Sequence, residues 1–247
     1  MSGLVVLVGA GPGNPKLITV AGLEALRSAD VVVYDSLAGK ELLHEAREGA
    51  ELIDVGKRGG YHRVEQSDIN RVIVERARSG SMVVRLKGGD PFMFGRGGEE
   101  AEELRAAGVE VRVIPGVTSA IAAPALAGIP VTHRDHASFV TFVTGHESDE
   151  RGDERIDWKG LARLGGTIVI LMGMARLGRN MERLIEGGLD PSTPVAVVRC
   201  GSRPEQRSVL ATAATIERRC REEGIGSPAV TVVGSVASLR DVLGDLR

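Results

Sequence analysis

The stretch VVRLKGGDPFMFGRGGEE, residues 83–100, is the most informative part of the sequence about the fold. It begins with apolar and β-branched residues in a short run, which predicts a strand. Gly88 and Gly89 then let the backbone turn and let a ligand approach the bare main chain, and Pro91 removes a donor. A second group of glycines leads into an acidic run from Glu99, which suits the start of a helix. The pattern predicts a long loop at the carboxyl end of a parallel strand, where open α/β sheets bind ligands.

Strands and helices alternate on both sides of this stretch. The first predicted strand, residues 4–8, is apolar at every position, which indicates a sheet covered on both faces. The composition changes after residue 136. We therefore predict two α/β domains, residues 1–115 and 116–247, with a linker and first helix at about 116–136 and an active site in the cleft between the domains. Further strands are predicted at 31–34, 51–55, 109–114, 139–143, 167–171, 195–198 and 229–233, with 207–210 as a pairing partner.

Bulk composition excludes several classes of protein. The 247 residues carry a net charge of −2, which gives no overall attraction to nucleic acid or to an anionic membrane. No stretch approaches the 18 apolar residues of a membrane span, and the apolar run at the N-terminus is too short for a signal peptide. Cys200 and Cys220 lie far apart in the sequence with no CxxC spacing, which predicts reduced thiols and argues against a disulfide framework or a zinc site. We expect a cytoplasmic protein with no nucleic-acid or membrane partner.

The loop VGAGPG, residues 8–13, resembles a dinucleotide-binding loop, and Asp35 follows the second strand as an acidic residue would there. The spacing GxGxxG needs glycine at position 14, where Asn14 stands. Pro12 and Pro15 also interrupt the stretch that should open directly into a helix. We therefore favour a different ligand, and a nicotinamide dehydrogenase stays as an alternative.

Basic residues gather in the predicted loops although the whole chain is slightly acidic. This distribution predicts a site for an anion that carries several carboxylates or phosphates. His133 and His136 suggest a metal pair, but no third ligand has a plausible spacing, so we predict no metal site. The basic set is Lys57, Arg58, His62, Arg63, Arg85, Lys87, Arg96, His133, Arg134 and His136.

Taken together, the motifs resemble the uroporphyrinogen-III C-methyltransferase branch of the S-adenosylmethionine-dependent tetrapyrrole methylase family, over nearly the whole chain. The sequence departs from the residues usual in the family at Asn14, Ala38, Met93 and Leu171. The motifs are VGAGPG (8–13), ADVVVYD (29–35), VGKRGGYH (55–62), the stretch 83–100, PGVTSA (115–120), AGIPVTHR (127–134), TGH (144–146), MGM (172–174) and TPVAVV (193–198).

The resemblance implies roles for individual residues. Asp35 matches the family's proposed proton acceptor and Lys57 its proposed proton donor. We expect Arg58, Arg63 and Arg134 to bind carboxylates of the substrate. The positions that correspond to residues around S-adenosyl-L-methionine in the family are Pro12, Gly88, Gly89, Asp90, Met93, Thr118, Ser119, Met172 and Gly201.

The resemblance also implies a homodimer and a reaction. Two methyl groups would pass in turn from S-adenosyl-L-methionine to uroporphyrinogen III, giving S-adenosyl-L-homocysteine and precorrin-2, a precursor of sirohaem and cobalamin. A glycine-rich cradle suits this chemistry because it aligns the donor without competing nucleophiles. Asp35 is a reasonable general base for the proton that must then leave the macrocycle. A third hypothesis is a non-catalytic module that binds the ligand without turnover.

Overall fold

A computed structural model describes residues 3–56, 66–146 and 156–247. The chain divides into two compact units, Met1–Thr118 and Ser119–Arg247. Each unit contains one five-stranded sheet together with helices, which confirms the predicted α/β class.

The first unit contains a wholly parallel sheet in the order β3-β2-β4-β1-β5. Its strands are β1 (Leu4–Gly9), β2 (Val31–Tyr34), β3 (Glu51–Asp54), β4 (Met82–Lys87) and β5 (Glu110–Ile114). Its helices are α1 (Val20–Ser28), α2 (Gln66–Arg78) and α3 (Gly97–Ala106), with 3-10 turns at Pro15–Leu17 and Lys40–Glu45.

Alternate residues of these strands build a core on each face of the sheet. Val6 and Val8 of β1 pack with Leu26 on one face, whereas Val5 and Leu7 pack on the other face, in a cluster that includes Leu104. Burying both faces explains why the strands read as continuous apolar runs. A continuous apolar run is therefore the local signature of this sheet.

The second unit contains a mixed sheet in the order β6-β7-β10-β8-β9. Its strands are β6 (Val140–Thr144), β7 (Thr167–Leu171), β8 (Pro194–Arg199), β9 (Arg207–Thr212) and β10 (Ala229–Val233). Its helices are α4 (Ser119–Leu126), α5 (Trp158–Leu164), α6 (Leu177–Glu186), α7 (Ile216–Glu222) and α8 (Arg240–Leu243), with 3-10 turns at Met174–Arg176 and Ser235–Leu239.

Strand pairing in this second sheet fixes which ends meet. β6 is parallel to β7, and β10 is antiparallel to both β7 and β8. Strands β6, β7 and β8 therefore run in one direction, and their carboxyl ends lie at the same edge. The predicted partner strand at 207–210 is confirmed as β9, antiparallel to β8.

Some local predictions are wrong at element ends. A serine just before an apolar helical pattern, such as Ser67, predicts the cap of a helix, but Ser67 lies inside α2, which begins at Gln66. The sequence pattern of residues 236–243 predicts one closing helix, but the structure has a 3-10 turn, Ser235–Leu239, followed by α8. Within the described parts of the chain, no helix is long and apolar enough to cross a membrane.

Candidate functional site

Two glycine loops meet at the carboxyl edge of the parallel sheet. The Gly11 amide donates to the Gly89 carbonyl at 3.2 Å, and the Gly89 amide donates back to Gly11 at 2.7 Å. The Ala10 amide donates to the carbonyl of Lys87, at the end of β4, at 2.8 Å. Gly11 and Gly89 both have positive φ, 79° and 69°, which glycine adopts without steric cost. The loops after β1 and β4 are thus joined main chain to main chain.

Asp90 ties the loop after β5 to the same edge. Its Oδ2 accepts from the Gly116 amide at 3.0 Å, and its Oδ1 accepts from the Phe92 amide at 2.8 Å. A Cβ on Gly116 would collide with the Gly89 carbonyl oxygen, and a Cβ on Gly9 would lie 2.5 Å from the Gly116 Cα. The main chains approach this closely only because the residues are glycines. The result is a cradle of bare main chain that fits a ligand held by shape and backbone groups.

Asp35 lies at this carboxyl edge, directly after β2. Its Oδ1 accepts from the Leu37 amide at 3.0 Å, and its side chain is 27% exposed. The Arg85 Nη2 lies 3.6 Å from the Asp35 Oδ2. The carboxylate is thus held by the main chain on one side and reaches solvent on another.

Three predicted site residues, Lys57, Arg58 and Arg63, lie outside the described residues. Pro12 and Met93 are half-buried in the loops after β1 and β4. The predicted roles of all these residues remain predictions.

Arg85 and Lys87 do not belong to a loop, which corrects the sequence-based grouping. Both lie in β4 and are almost completely buried, beside the fully buried Glu100 of α3. The Glu100 Oε1 accepts from the Lys87 Nζ at 2.9 Å and from the Arg85 Nε at 3.3 Å. Burial lowers the pKa of the Lys87 ammonium, the Arg85 charge lowers it further, and Glu100 opposes the shift. These cations have an internal partner and are not surface ligands for an anion.

A sequence signal for this cluster was present. Side chains on a strand alternate between faces, so Val83, Arg85 and Lys87 share one face. The register pairs Val33 with Arg85, and Asp35 comes two residues after Val33, just beyond the end of β2, with its Oδ2 3.6 Å from Arg85. Charged residues at alternate positions of a strand that is otherwise apolar therefore predict a buried charged cluster. The identities of the two partners, Glu100 and Asp35, needed the tertiary structure.

The carboxyl edge of the second sheet is built from strained backbone. Met172 follows β7 with φ of 54°, and it is 53% exposed. Cys200 and Ser202 follow β8 with φ of 50° and 72°. A non-glycine residue in the left-handed region costs about 1–3 kcal/mol, and such residues cluster at ligand sites. The predicted donor-binding positions Met172 and Gly201 therefore lie in two unusual turns at one edge of the sheet.

Close packing fixes these two turns. A Cβ on Gly201 would collide with the Ala123 Cβ and lie 2.8 Å from the Ala123 Cα. Ser119, another predicted donor-binding residue, begins α4 one turn before Ala123, and residues four apart share a helix face. Ser119 and Gly201 are thus associated with one helix, whereas Thr118 belongs to the first unit.

Sequence reasoning missed Asn180, which supports the turn after β7. A Cβ on Gly145 would collide with the Gly173 Cα, so the turns after β6 and β7 touch through their main chains. Asn180 is 1% exposed and its Nδ2 donates to the Gly145 carbonyl at 3.2 Å. An asparagine among the apolar positions of a helix was the only signal in the sequence. This amide holds the pair of turns that presents Met172.

Arg134 lies at the other end of the second sheet. It is exposed, in a tight turn in which the His133 amide donates to the Ala137 carbonyl at 3.0 Å. The same segment contacts the start of β7, where the Thr167 amide donates to the Phe139 carbonyl at 3.2 Å. A five-residue strand spans about 16 Å, so the structure does not bring Arg134 together with Met172. Its predicted role as a substrate ligand stays a prediction.

Comparison with known families gives one assignment. The sequence model of the Tetrapyrrole (Corrin/Porphyrin) Methylases matches residues 4–217. An S-adenosyl-L-methionine-dependent uroporphyrinogen III methyltransferase of Methanosarcina barkeri is 53% identical over 245 residues, which cover 99% of this chain and 96% of that protein.

Solved structures agree in fold. The uroporphyrin-III C-methyl transferase of Thermus thermophilus, complexed with S-adenyl homocysteine, has a TM-score of 0.79 at 39% identity and covers 96% of this chain and all of that chain. A cobalt precorrin-4 methyltransferase has a TM-score of 0.84 at 32% identity, with 95% of each chain covered.

Proposed function

Since the chain belongs to the tetrapyrrole (corrin/porphyrin) methylase family, we propose that it is an S-adenosyl-L-methionine-dependent uroporphyrinogen-III C-methyltransferase. It transfers two methyl groups to uroporphyrinogen III and gives precorrin-2, for sirohaem and cobalamin synthesis. The observation that carries the proposal is high identity, along nearly the whole chain, to a relative of that named activity.

The nicotinamide alternative loses support from the first glycine loop. A dinucleotide site needs this loop to open directly into a helix whose N-terminus receives the pyrophosphate. Here Pro15–Leu17 forms a 3-10 turn, and α1 begins only at Val20. The loop is instead bonded to Gly89 through its main chain. The glycines therefore serve loop packing and a different ligand.

The methyl donor fits the glycine cradle. A sulfonium methyl is already activated, so attack by an electron-rich carbon forms the new C–C bond while the sulfur keeps the electron pair of the broken C–S bond. The chain has only to align donor and acceptor, which is the kind of task that fixed geometry performs. Gly88 and Gly89 offer main chain for close approach, and Asp90 holds the loops in place. In the second unit, Ser119, Met172 and Gly201 are proposed as donor-binding residues on the family resemblance.

Asp35 supplies proton removal in this proposal. Methylation leaves the macrocycle with a positive charge, and a proton must leave to neutralise it. As that bond breaks, its electron pair returns to the ring and the proton passes to the Asp35 carboxylate. A placed general base contributes roughly 10²–10⁴ in rate. The partial exposure of Asp35 lets it contact a substrate and then release the proton to water.

The substrate carries eight carboxylates, which several cations would bind. On the family resemblance, we propose Arg58, Arg63 and Arg134 as ligands of these carboxylates. Lys57 is proposed as the proton donor. We also propose a homodimer on the same ground, and a cytoplasmic location on the composition of the chain. A particle mass near twice 26.1 kDa by light scattering would support the dimer.

An anaerobic assay with uroporphyrinogen III and S-adenosyl-L-methionine, read by mass spectrometry, tests the function. The expected product is heavier than the substrate by two methyl groups. If the donor binds but no methyl group is added, the non-catalytic hypothesis is correct instead. If only a later tetrapyrrole accepts methyl groups, the protein acts at a later step than proposed.

A further inference from the structure

Three charged side chains of the first unit have no direct part in the binding and catalysis proposed above. Arg85, Lys87 and Glu100 are 3%, 4% and 0% exposed. Burying charges costs free energy even when they are paired, and apolar replacements of similar size are often as stable or more stable. A cluster at this depth is therefore poorly explained by stability alone, and its position beside Asp35 suggests another use.

Glu100 anchors both cations from the first turn of α3. One oxygen, Oε1, accepts from the Lys87 Nζ at 2.9 Å, from the Arg85 Nε at 3.3 Å and from the Gln66 Nε2 at 3.0 Å. Charge-assisted hydrogen bonds of this kind are stronger than neutral ones and fix geometry. The carboxylate thus holds Arg85 by the inner edge of its guanidinium.

The outer edge of the same guanidinium faces Asp35. Its Nη2 lies 3.6 Å from the Asp35 Oδ2, while its Nη1 donates to the carbonyls of Leu86 at 3.2 Å and Val33 at 3.4 Å. A planar guanidinium held at several points cannot turn away from its partner. The other oxygen of Asp35 is held by the Leu37 amide. Both oxygens of the carboxylate therefore have a neighbour that fixes its orientation.

We propose that Glu100, Arg85 and Asp35 form a relay in which the buried Glu100 anchors the buried Arg85, and Arg85 orients the Asp35 carboxylate. Arg85 and Glu100 are then positioning residues for proton removal, and Lys87 balances the second negative charge. The relay rests on the proposed function, since it needs Asp35 as the base.

A double-mutant cycle tests the relay. Arg85→Met is expected to lower kcat about tenfold or more in the otherwise wild-type enzyme, but less than about twofold when Asp35 is already Asn. A residue that acts through Asp35 loses its effect once Asp35 cannot act, whereas general damage to the fold lowers both rates equally. The Kd for S-adenosyl-L-methionine should change less than about twofold in all variants, because the relay acts on the proton and not on the donor.

Two further variants guard against misfolding. Arg85→Met/Glu100→Gln removes one charge of each sign, so Lys87 and Asp35 still balance, and it should fold and show the same slow kcat. Arg76→Met is the matched control, because Arg76 also pairs with a carboxylate, Glu51, but at the start of β3 and in an exposed position. It should leave kcat unchanged.

The possible failures are distinguishable. If Arg85→Met slows both backgrounds equally, or if the charge-balanced variant turns over like the wild type, Asp35 remains the base and the relay is wrong. If Asp35→Asn itself keeps the wild-type rate, the proposed base is wrong and the relay falls with it. A wild-type enzyme that binds the donor and adds no methyl group would overturn the proposed function first.

Discussion

The strand ends of the two units present different chemistry. In the parallel sheet, the ends of β2 and β4 place Asp35 beside buried Arg85, with Glu100 beneath. In the mixed sheet, the ends of β7 and β8 present Met172 and Gly201 in turns of strained, closely packed main chain. The first edge combines a buried charged cluster with close glycine main chain, whereas the second is organised by backbone shape.

This difference separates two tasks that a methyltransferase has to perform. Moving a proton needs a charged group of fixed orientation, and charge is held inside a protein only by partners. Holding a donor in line needs surfaces that fit, and main chain packed through glycines supplies them. We therefore expect changes at Asp35 and Arg85 to act on kcat, and changes at the second edge to act on donor affinity.

The largest effect is expected from Asp35→Asn. The change keeps the shape of the side chain and removes the base, so kcat should fall by roughly 10²–10⁴. The Kd for S-adenosyl-L-methionine, measured by calorimetry, should hardly change. A variant that turns over at the wild-type rate would make Asp35 an ordinary turn residue and would remove the contrast between the two edges.

Gly201→Ala should have an intermediate effect at the second edge. The added methyl group collides with Ala123, so α4 or the turn must move, at a cost of about 1–3 kcal/mol. We expect a lower melting temperature and weaker donor binding. Thermal unfolding and calorimetry measure both.

The matched control for this change is Gly226→Ala. A Cβ at Gly226 would meet open space, and its φ is not positive. It should keep both the melting temperature and the donor Kd. If Gly201→Ala behaves in the same way, the tight packing of that turn does not serve donor binding.

The smallest effect is expected from Arg134→Ala, which tests whether the basic residues act on the substrate. Exposed ion pairs contribute at most about 1 kcal/mol, so the KM for uroporphyrinogen III should rise by up to about fivefold. The salt dependence of that KM should also become shallower, because exposed charges are screened as the Debye length falls from about 10 Å at 0.1 M to about 3 Å at 1 M. Donor affinity should stay unchanged at all salt concentrations.

Arg218→Ala is the control for that measurement, since Arg218 is an exposed arginine of α7 paired with Glu222. It should alter neither ligand. Arg134 lies at the far end of its sheet from Met172, so an outcome identical to the control would restrict substrate binding to other cations.

The position of the strands and of the ligand loops could be predicted from the sequence alone. Apolar runs, glycine pairs and prolines act on the backbone within a few residues, so the starts of β2, β7 and β10 were predicted to the residue. The two glycine loops were recognisable for the same reason. The motif run 83–100 also indicated the family, because a long ligand loop requires many residues of particular kinds in order.

The long-range contacts among these residues could be identified only from the tertiary structure. The partners of Arg85 are 15 and 50 positions away in sequence, at Glu100 and Asp35, so no local pattern identified them. The left-handed turn at Met172 is likewise maintained by packing, through Gly145 and Asn180, because an isolated methionine would leave that conformation. Local sequence determines which backbone conformations have low free energy. Burial and long-range contacts determine where a buried charge or a strained turn is stabilised.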